Sequence, residues 1–216
     1  LQLDGKLWDT TVLGTENLTS LEAERFCGSI TPCPHLRELN WCGQGISENV
    51  PFPWEPMTAL SALTVFTGRV ESSFRFPQTI TRMNLKVVCS SFDVATLSPL
   101  TRLEHLEMFV QDEDLLDLSG LISLTWLRTE NTVSRLPTSL VRCNMYVNSD
   151  DDFSALTNLT SLTVKLHGDV GLTFPLQLKR LRVDTRYGRL TSSNRSELHL
   201  GSSHHDSSES EERDCY

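Results

Sequence analysis

Several features that would reveal a function directly are absent from this 216-residue sequence. It has no glycine-rich phosphate loop, and its histidines lack a serine or cysteine nucleophile at a recognisable spacing. No stretch approaches the ~20 apolar residues of a membrane-spanning helix. Apolar residues make up 38% of the chain, below the ~45 to 50% of an ordinary globular domain. These absences predict a thin hydrophobic core, no enzyme, no cofactor and no membrane span.

Recognisable metal-binding patterns are missing too. The acidic runs at residues 112–114 and 150–152 lack the ordered ligand spacing and the turn glycine of a calcium loop. We interpret both runs as solvated loops. Cys27, Cys33 and Cys42 match no zinc-site spacing. The sequence therefore predicts no metal site.

The formal net charge is -9. A nucleic-acid-binding surface needs many lysines and arginines to neutralise phosphates, so this balance argues against nucleic acid as a partner. Six cysteines without a paired cap pattern favour the cytoplasm. N-glycosylation triplets at Asn17, Asn158 and Asn194 would instead fit a secreted or cell-surface chain, in which Cys27 and Cys33 could form a disulfide. The sequence leaves the localisation open.

One short phrase recurs nine times between residues 18 and 183, with apolar residues at its first position and three and five residues later. Successive phrases begin 16 to 24 residues apart, a period typical of stacked repeats. In one example Leu159, Leu162 and Val164 point one way and Ser161 and Thr163 the other, as in a strand. The first residues of the phrases are Leu18, Leu36, Leu60, Ile80, Leu103, Leu124, Leu140, Leu159 and Leu178. The repeat predicts a solenoid in which these strands form one parallel sheet.

The segments that return from one strand to the next are predicted to be mainly non-helical. Pro77, Pro137 and Pro175 each fix a backbone angle and remove an amide donor shortly before a strand. Other returns carry leucines every three residues, as at Leu97 and Leu100. We therefore expect a mostly β solenoid.

The phrase resembles that of the leucine-rich repeat family, whose pattern is L-x-x-L-x-L-x-x-N/C-x-L. The closest matches are "RLEHLEM", "NLTSLTV" and "QLKRLRV". In that family an asparagine eight residues after the first leucine bonds the loop backbone, and here only Asn148 fits. The resemblance implies an α/β-class solenoid with its sheet on a concave face. The loops after the other strands must satisfy their backbone groups in different ways.

The repeats predict one elongated domain over residues 1–190. "LQLD" at the start fits the end of an earlier phrase, with Leu1 and Leu3 at the second and third apolar places. This pattern suggests a chain truncated at its N-terminus. Residues 191–216 are rich in serine and acid and have few apolar residues, so we predict a disordered tail.

A binding surface is expected on the outward-pointing side of the sheet, at the second, fourth and sixth places after each first residue. In the last six units these places hold seven lysines and arginines but three carboxylates, although the whole chain is acidic. The same count, starting from Leu60, places Phe66 on this surface. Arginine and aromatic side chains supply most interface hot spots. The predicted partner-binding residues are Arg82, Phe109, Trp126, Arg128, Arg142, Tyr146, Arg180 and Arg182.

These residues favour a protein–protein interaction module, a scaffold or adaptor, whose partner has an acidic and partly apolar surface. One alternative is the ligand-sensing region of a larger receptor, or a ubiquitin-ligase-type substrate recruiter, with its effector domain elsewhere. Another is a structural surface repeat that self-associates through open strand edges. The blandest interpretation is that the charges only keep an exposed sheet solvated.

Overall fold

The computed structural model describes residues 2–3, 17–24, 33–42, 60–70, 75–87, 93–110, 115–149 and 151–190. Among these described residues, 45% lie in strands and 3% in helix, which confirms the predicted mostly β class. The strands are β1 (Gln2–Leu3), β2 (Ser20–Glu24), β3 (Glu38–Cys42), β4 (Val65–Val70), β5 (Arg82–Val87), β6 (His105–Val110), β7 (Leu116–Asp117), β8 (Trp126–Thr129), β9 (Val133–Arg135), β10 (Arg142–Val147), β11 (Asp151–Asp152), β12 (Ser161–His167), β13 (Leu172–Thr173) and β14 (Arg180–Tyr187). A 3-10 helix covers Val94–Leu97.

Ten strands form one parallel sheet in the order β1-β2-β3-β4-β5-β6-β8-β10-β12-β14. Each strand pairs with the corresponding strand of the next unit, so the chain returns after every strand and re-enters beside it. β1 pairs with β2 and sets Leu3 opposite Ala23, as the match of "LQLD" to an earlier phrase predicts. The pairs β7–β9 and β11–β13 make two small parallel sheets on the returns. The predicted solenoid with a long parallel sheet is confirmed.

One continuous core runs through the described units. In β5 and β10, burial alternates residue by residue, with every second side chain buried. Leu103, Leu106 and Met108 are at most 1% exposed. They belong to the phrase that predicted an apolar interior. Burial of apolar surface contributes about 25 cal/mol per Å² and provides the main stabilisation of such a stack.

In the third unit the repeated phrase begins three residues later than the sequence predicts. Phe66, expected on the outward side, is 1% exposed and pairs in register with Leu39 and Met83. The unit therefore begins at Leu63, and Leu60 is a buried residue of the preceding return. The error arose because Leu60, Leu63 and Phe66 are spaced by three, so two frames of the phrase are both apolar.

The returns contain tight turns, each closed by a hydrogen bond from an amide to the carbonyl three residues earlier. The amide of Leu100 donates to the carbonyl of Leu97 at 2.9 Å, and that of Leu103 to Leu100 at 3.0 Å. The amide of Leu178 likewise donates to the carbonyl of Pro175 at 3.1 Å. These contacts fit the predicted non-helical returns.

Aspartates hold two of these turns in place. Asp117 accepts hydrogen bonds from the amide of Ser119 at 3.0 Å and from its hydroxyl at 2.6 Å. Asp152 accepts from the amide of Ser154 at 2.8 Å. The hydrogen bonds from these serines lower the pKa of both carboxyl groups, since they favour the charged form.

Side chains that precede the strands donate hydrogen bonds to backbone carbonyls of the neighbouring unit. Hydroxyls at the entry of four strands donate to the carbonyl of the preceding unit at 3.2 to 3.3 Å: Thr64, Thr81, Thr125 and Thr160. Side chains on the returns do the same at 2.7 to 3.0 Å: Thr79, Ser139, Asn158 and Gln177. These side chains link six of the described units, those of β4, β5, β8, β10, β12 and β14, to the preceding unit by polar contacts as well as by the core.

One buried asparagine spans two units, and it is not the one expected. Asn131 is 7% exposed; its Oδ1 accepts from the amide of Val110 and its Nδ2 donates to the carbonyl of Val110, both at 2.8 Å. Asn148, the family-type match, is exposed. Asn131 lies seven residues after Leu124 rather than eight, because β8 ends early at Thr129.

Two cysteines are buried in the core, Cys33 and Cys143. Burial raises the pKa of the Cys143 thiol to about 12, so this side chain behaves as an apolar residue. Cys27, the acidic run at residues 112–114, Asn194 and the predicted tail at 191–216 lie outside the described residues. In the described part of the chain, no helix is long and apolar enough to cross a bilayer.

Candidate binding face

The solvent-facing side chains of β5, β6, β8, β10, β12 and β14 form a surface that we call the outer face. Strand register orders them into lines across the sheet, since adjacent strands lie about 4.8 Å apart. The first line is Arg82, His105, Trp126, Arg142, Ser161 and Arg180. The second is Asn84, Glu107, Arg128, Asn144, Thr163 and Arg182. Phe109, Tyr146, Lys165 and Asp184 follow towards the carboxyl ends of their strands.

All eight predicted partner-binding residues lie on this face. Their five arginines are exposed, as is Phe109 at 39%, while Trp126 and Tyr146 are partly exposed. The alternation of side chains along each strand is sufficient to bring them together. The sheet therefore presents cations and aromatic rings on one surface across six strands.

Nearby cations engage the three carboxylates of the outer face. Glu107 forms an ion pair with Arg128 at 3.1 Å, and Glu130 forms one with Lys165 at 3.3 Å. Asp184 contacts Arg186 at 2.6 Å. Hydrogen bonds from Arg186 lower the pKa of Asp184. These acids are already neutralised and would repel an acidic ligand only weakly.

Four arginines of the outer face have no such partner. Among the residues that the structure describes, Arg82, Arg142, Arg180 and Arg182 form no ion pair. Arg128 differs because its guanidinium is held by Glu107. The positive charge available to a ligand therefore lies at these four arginines and at Lys86 on β5, which is exposed and forms no ion pair among the described residues.

An aromatic pair lies between two of these arginines. The rings of His105 and Trp126 stack with centroids 5.9 Å apart and planes at 27°. In register, Arg82 precedes this pair and Arg142 follows it. The Nδ1 atom of His105 is buried and has no hydrogen-bond partner among the described residues. His105 was not among the predicted site residues, although its place beside Trp126 in the outward rows could have indicated it.

Lys165 and Tyr146 form a second aromatic contact on this face. The ammonium group of Lys165 lies 4.8 Å from the centroid of the Tyr146 ring, within cation–π range. The same ammonium contacts Glu130. This end of the outer face is therefore held together internally and has less free charge to offer.

A groove of about 620 Å³ lies away from the outer face, on the returns near β5. Arg75, Phe76, Pro77, Asp93 and Thr96 are among its lining residues. It contains none of the eight predicted residues. The structure places no group of three or more metal-ligating side chains together in the described ranges.

The chain matches no model of a known protein family, and no curated protein is significantly similar to it.

Proposed function

We propose that the protein is an interaction module of the leucine-rich repeat type, a scaffold or adaptor that binds a protein partner on the outer face. The partner's surface is acidic and partly apolar. The observation that carries this proposal is the set of four arginines without ion pairs beside aromatic rings that are partly or fully exposed. Arginine, tryptophan and tyrosine are the residues most enriched among interface hot spots.

The rigidity of the sheet supports binding. Main-chain pairing to two neighbours fixes β6, β8, β10 and β12, so little backbone order has to be gained when a ligand binds. From β5 to β14 the outer face spans five strand spacings, about 24 Å. An extended segment of about seven residues would cross it. The face therefore suits a linear segment of a partner.

Charge contrast also supports an acidic partner. The chain as a whole carries -9, whereas the outer face carries more lysines and arginines than carboxylates, so an acidic protein is attracted to this face. Such complementarity raises association rates and orients the encounter. Added salt would weaken the interaction, since the arginines concerned are exposed.

Reversing two unpaired arginines tests this proposal. We expect the double variant Arg82→Glu with Arg142→Glu to lose most of the partner captured by the wild-type chain, because both charges flank the His105–Trp126 pair. The measurement is affinity capture from a lysate, quantified by mass spectrometry. Circular dichroism should show an unchanged fold, since both side chains are exposed.

The matched control is Arg102→Glu with Arg189→Glu, which makes the same change of charge at exposed positions outside the strands. It should capture the same partner as the wild-type chain. Equal capture by the outer-face variant would show that the binding surface is elsewhere. Loss with both variants would indicate an effect of net charge alone.

A further inference from the structure

Six polar residues on three neighbouring strands form a patch of the outer face that we call the polar basin. Its members are Arg142 and Asn144 on β10, Ser161 and Thr163 on β12, and Arg180 and Arg182 on β14. Register sets Ser161 between Arg142 and Arg180. With strands about 4.8 Å apart, the Cα atoms of these two arginines are about 10 Å apart. Small hydroxyl side chains thus form the floor, and long cationic side chains stand on both sides.

The side chains of the polar basin have unused hydrogen-bonding groups. Within the described ranges none of the six makes a side-chain hydrogen bond, and its three guanidinium groups form no ion pair. Several polar residues elsewhere on the outer face are engaged. Glu107, for example, binds both Arg128 and the amide of Asn84. The basin therefore combines three positive charges with neutral donors and no counter-ion.

We propose that the polar basin binds the phosphate of a phosphorylated serine or threonine in the partner, an inference that rests on the binding role proposed above. A phosphoryl group carries about -1.5 to -2 charges and three acceptor oxygens. Two hydroxyls, an amide and three guanidinium groups supply donors for all of these oxygens. An aspartate or glutamate has one charge and two oxygens, which would leave more of the basin uncompensated.

The neighbouring tryptophan adds a requirement on the partner's sequence. Trp126 on β8 is next to Arg142 in register and is partly exposed. From β12, at the centre of the basin, to β8 is two strand spacings, about 10 Å. A segment in the polyproline II conformation rises about 3.1 Å per residue with three residues per turn, so side chains three positions apart lie on the same side of it about 9 Å from each other. The partner segment therefore places an apolar side chain on Trp126 three positions from its phosphorylated residue.

A designed peptide tests both parts of the inference. The probe is fluorescein-labelled Gly-Phe-Ala-Ala-pSer-Ala-Ala-Phe-Gly, which has phenylalanine three positions away in both directions. Fluorescence anisotropy with the full 216-residue chain would measure its Kd. We expect the phosphopeptide to bind at least about tenfold more tightly than the same peptide with serine or glutamate at the centre. Those two peptides lack the phosphate and so lose charge-assisted hydrogen bonds to the basin.

Variants separate the two contacts. Arg180→Gln with Arg182→Gln should raise the Kd of the phosphopeptide to that of the serine peptide. Trp126→Ala should weaken the binding of the phosphoserine peptide and of the serine peptide by a similar factor, so the preference for phosphate remains. Arg102→Gln with Arg189→Gln, the control outside the strands, should leave every Kd unchanged.

Several results would overturn the inference. These are equal affinity for the phosphoserine and glutamate peptides, no binding of the phosphopeptide, or tighter binding of a single-stranded oligothymidine than of the phosphopeptide. Phosphatase treatment of the lysate used for capture distinguishes this failure from that of the proposed function. Capture that depends on Arg82 and Arg142 but survives phosphatase would support the binding module and reject the phosphate site. Capture that is unchanged by the outer-face substitutions would reject both the binding module and the phosphate site.

Discussion

Replacing Phe66 with alanine is expected to lower the free energy of unfolding by about 3 to 5 kcal/mol, the usual cost of emptying a buried phenylalanine site. Phe66 is 1% exposed and contacts Phe76 edge to face, with ring centroids 5.5 Å apart at 64°. Such aromatic pairs contribute about 0.5 to 1.5 kcal/mol beyond their buried area. Chemical denaturation followed by circular dichroism would measure the change.

Val65 provides the matched control, because the two residues are adjacent in β4. It pairs with Glu38 and Arg82 in the outward line and is partly exposed. Val65→Ala should cost about 1 kcal/mol or less. A larger loss for Val65 than for Phe66 would restore the frame suggested by the sequence and contradict the observed register.

Replacing Asn131 with alanine should cost roughly 3 kcal/mol, since it leaves the buried amide and carbonyl of Val110 without partners. The side chain of Asn131 makes both contacts at 2.8 Å. Asn131→Asp should also be destabilising: a carboxylate can still accept from the Val110 amide, but it can no longer donate to the carbonyl. Both variants would be compared with the wild-type chain by denaturant titration.

Asn148→Ala is the control for this prediction. Asn148 occupies the place that the leucine-rich repeat pattern assigns to the ladder asparagine, yet it is exposed. Its replacement should change the free energy of unfolding by no more than about 0.5 kcal/mol. If Asn148 mattered more than Asn131, the turn after β8 would not hold the units together as described.

The sequence predicts most of the fold, because a period-two pattern repeated at intervals near 20 residues has few other solutions. It fails where two frames are equally apolar, as at Phe66. It also fails where a strand ends early, as at β8, because the residue that reaches the neighbouring unit then shifts by one position to Asn131. Neither local event changes the hydrophobic pattern enough to be visible in one sequence.

For the candidate site too, the sequence predicts one part and only the structure shows the other. Side-chain alternation places the eight predicted residues on the outer face, since it depends only on strand geometry. It does not show that Arg128 is engaged by Glu107 while Arg142 and Arg180 are not. Nor does a pattern of charges draw attention to Ser161, whose importance in the polar basin depends on the residues of neighbouring strands. Lateral register, which the structure supplies, decides those relations.

The central claim, that consecutive units stack in register along one sheet, is tested most directly by distances between paired nitroxide labels. One label at Thr163 on β12 would be combined in turn with a second at Glu107 on β6, Asn84 on β5 or Thr67 on β4. Electron paramagnetic resonance should give separations that increase by about 5 Å per strand, from Cα distances of about 14 Å to 19 Å and 24 Å. Separations that do not increase in that order, or that show no defined maximum, would contradict the stacked sheet and the outer face built on it.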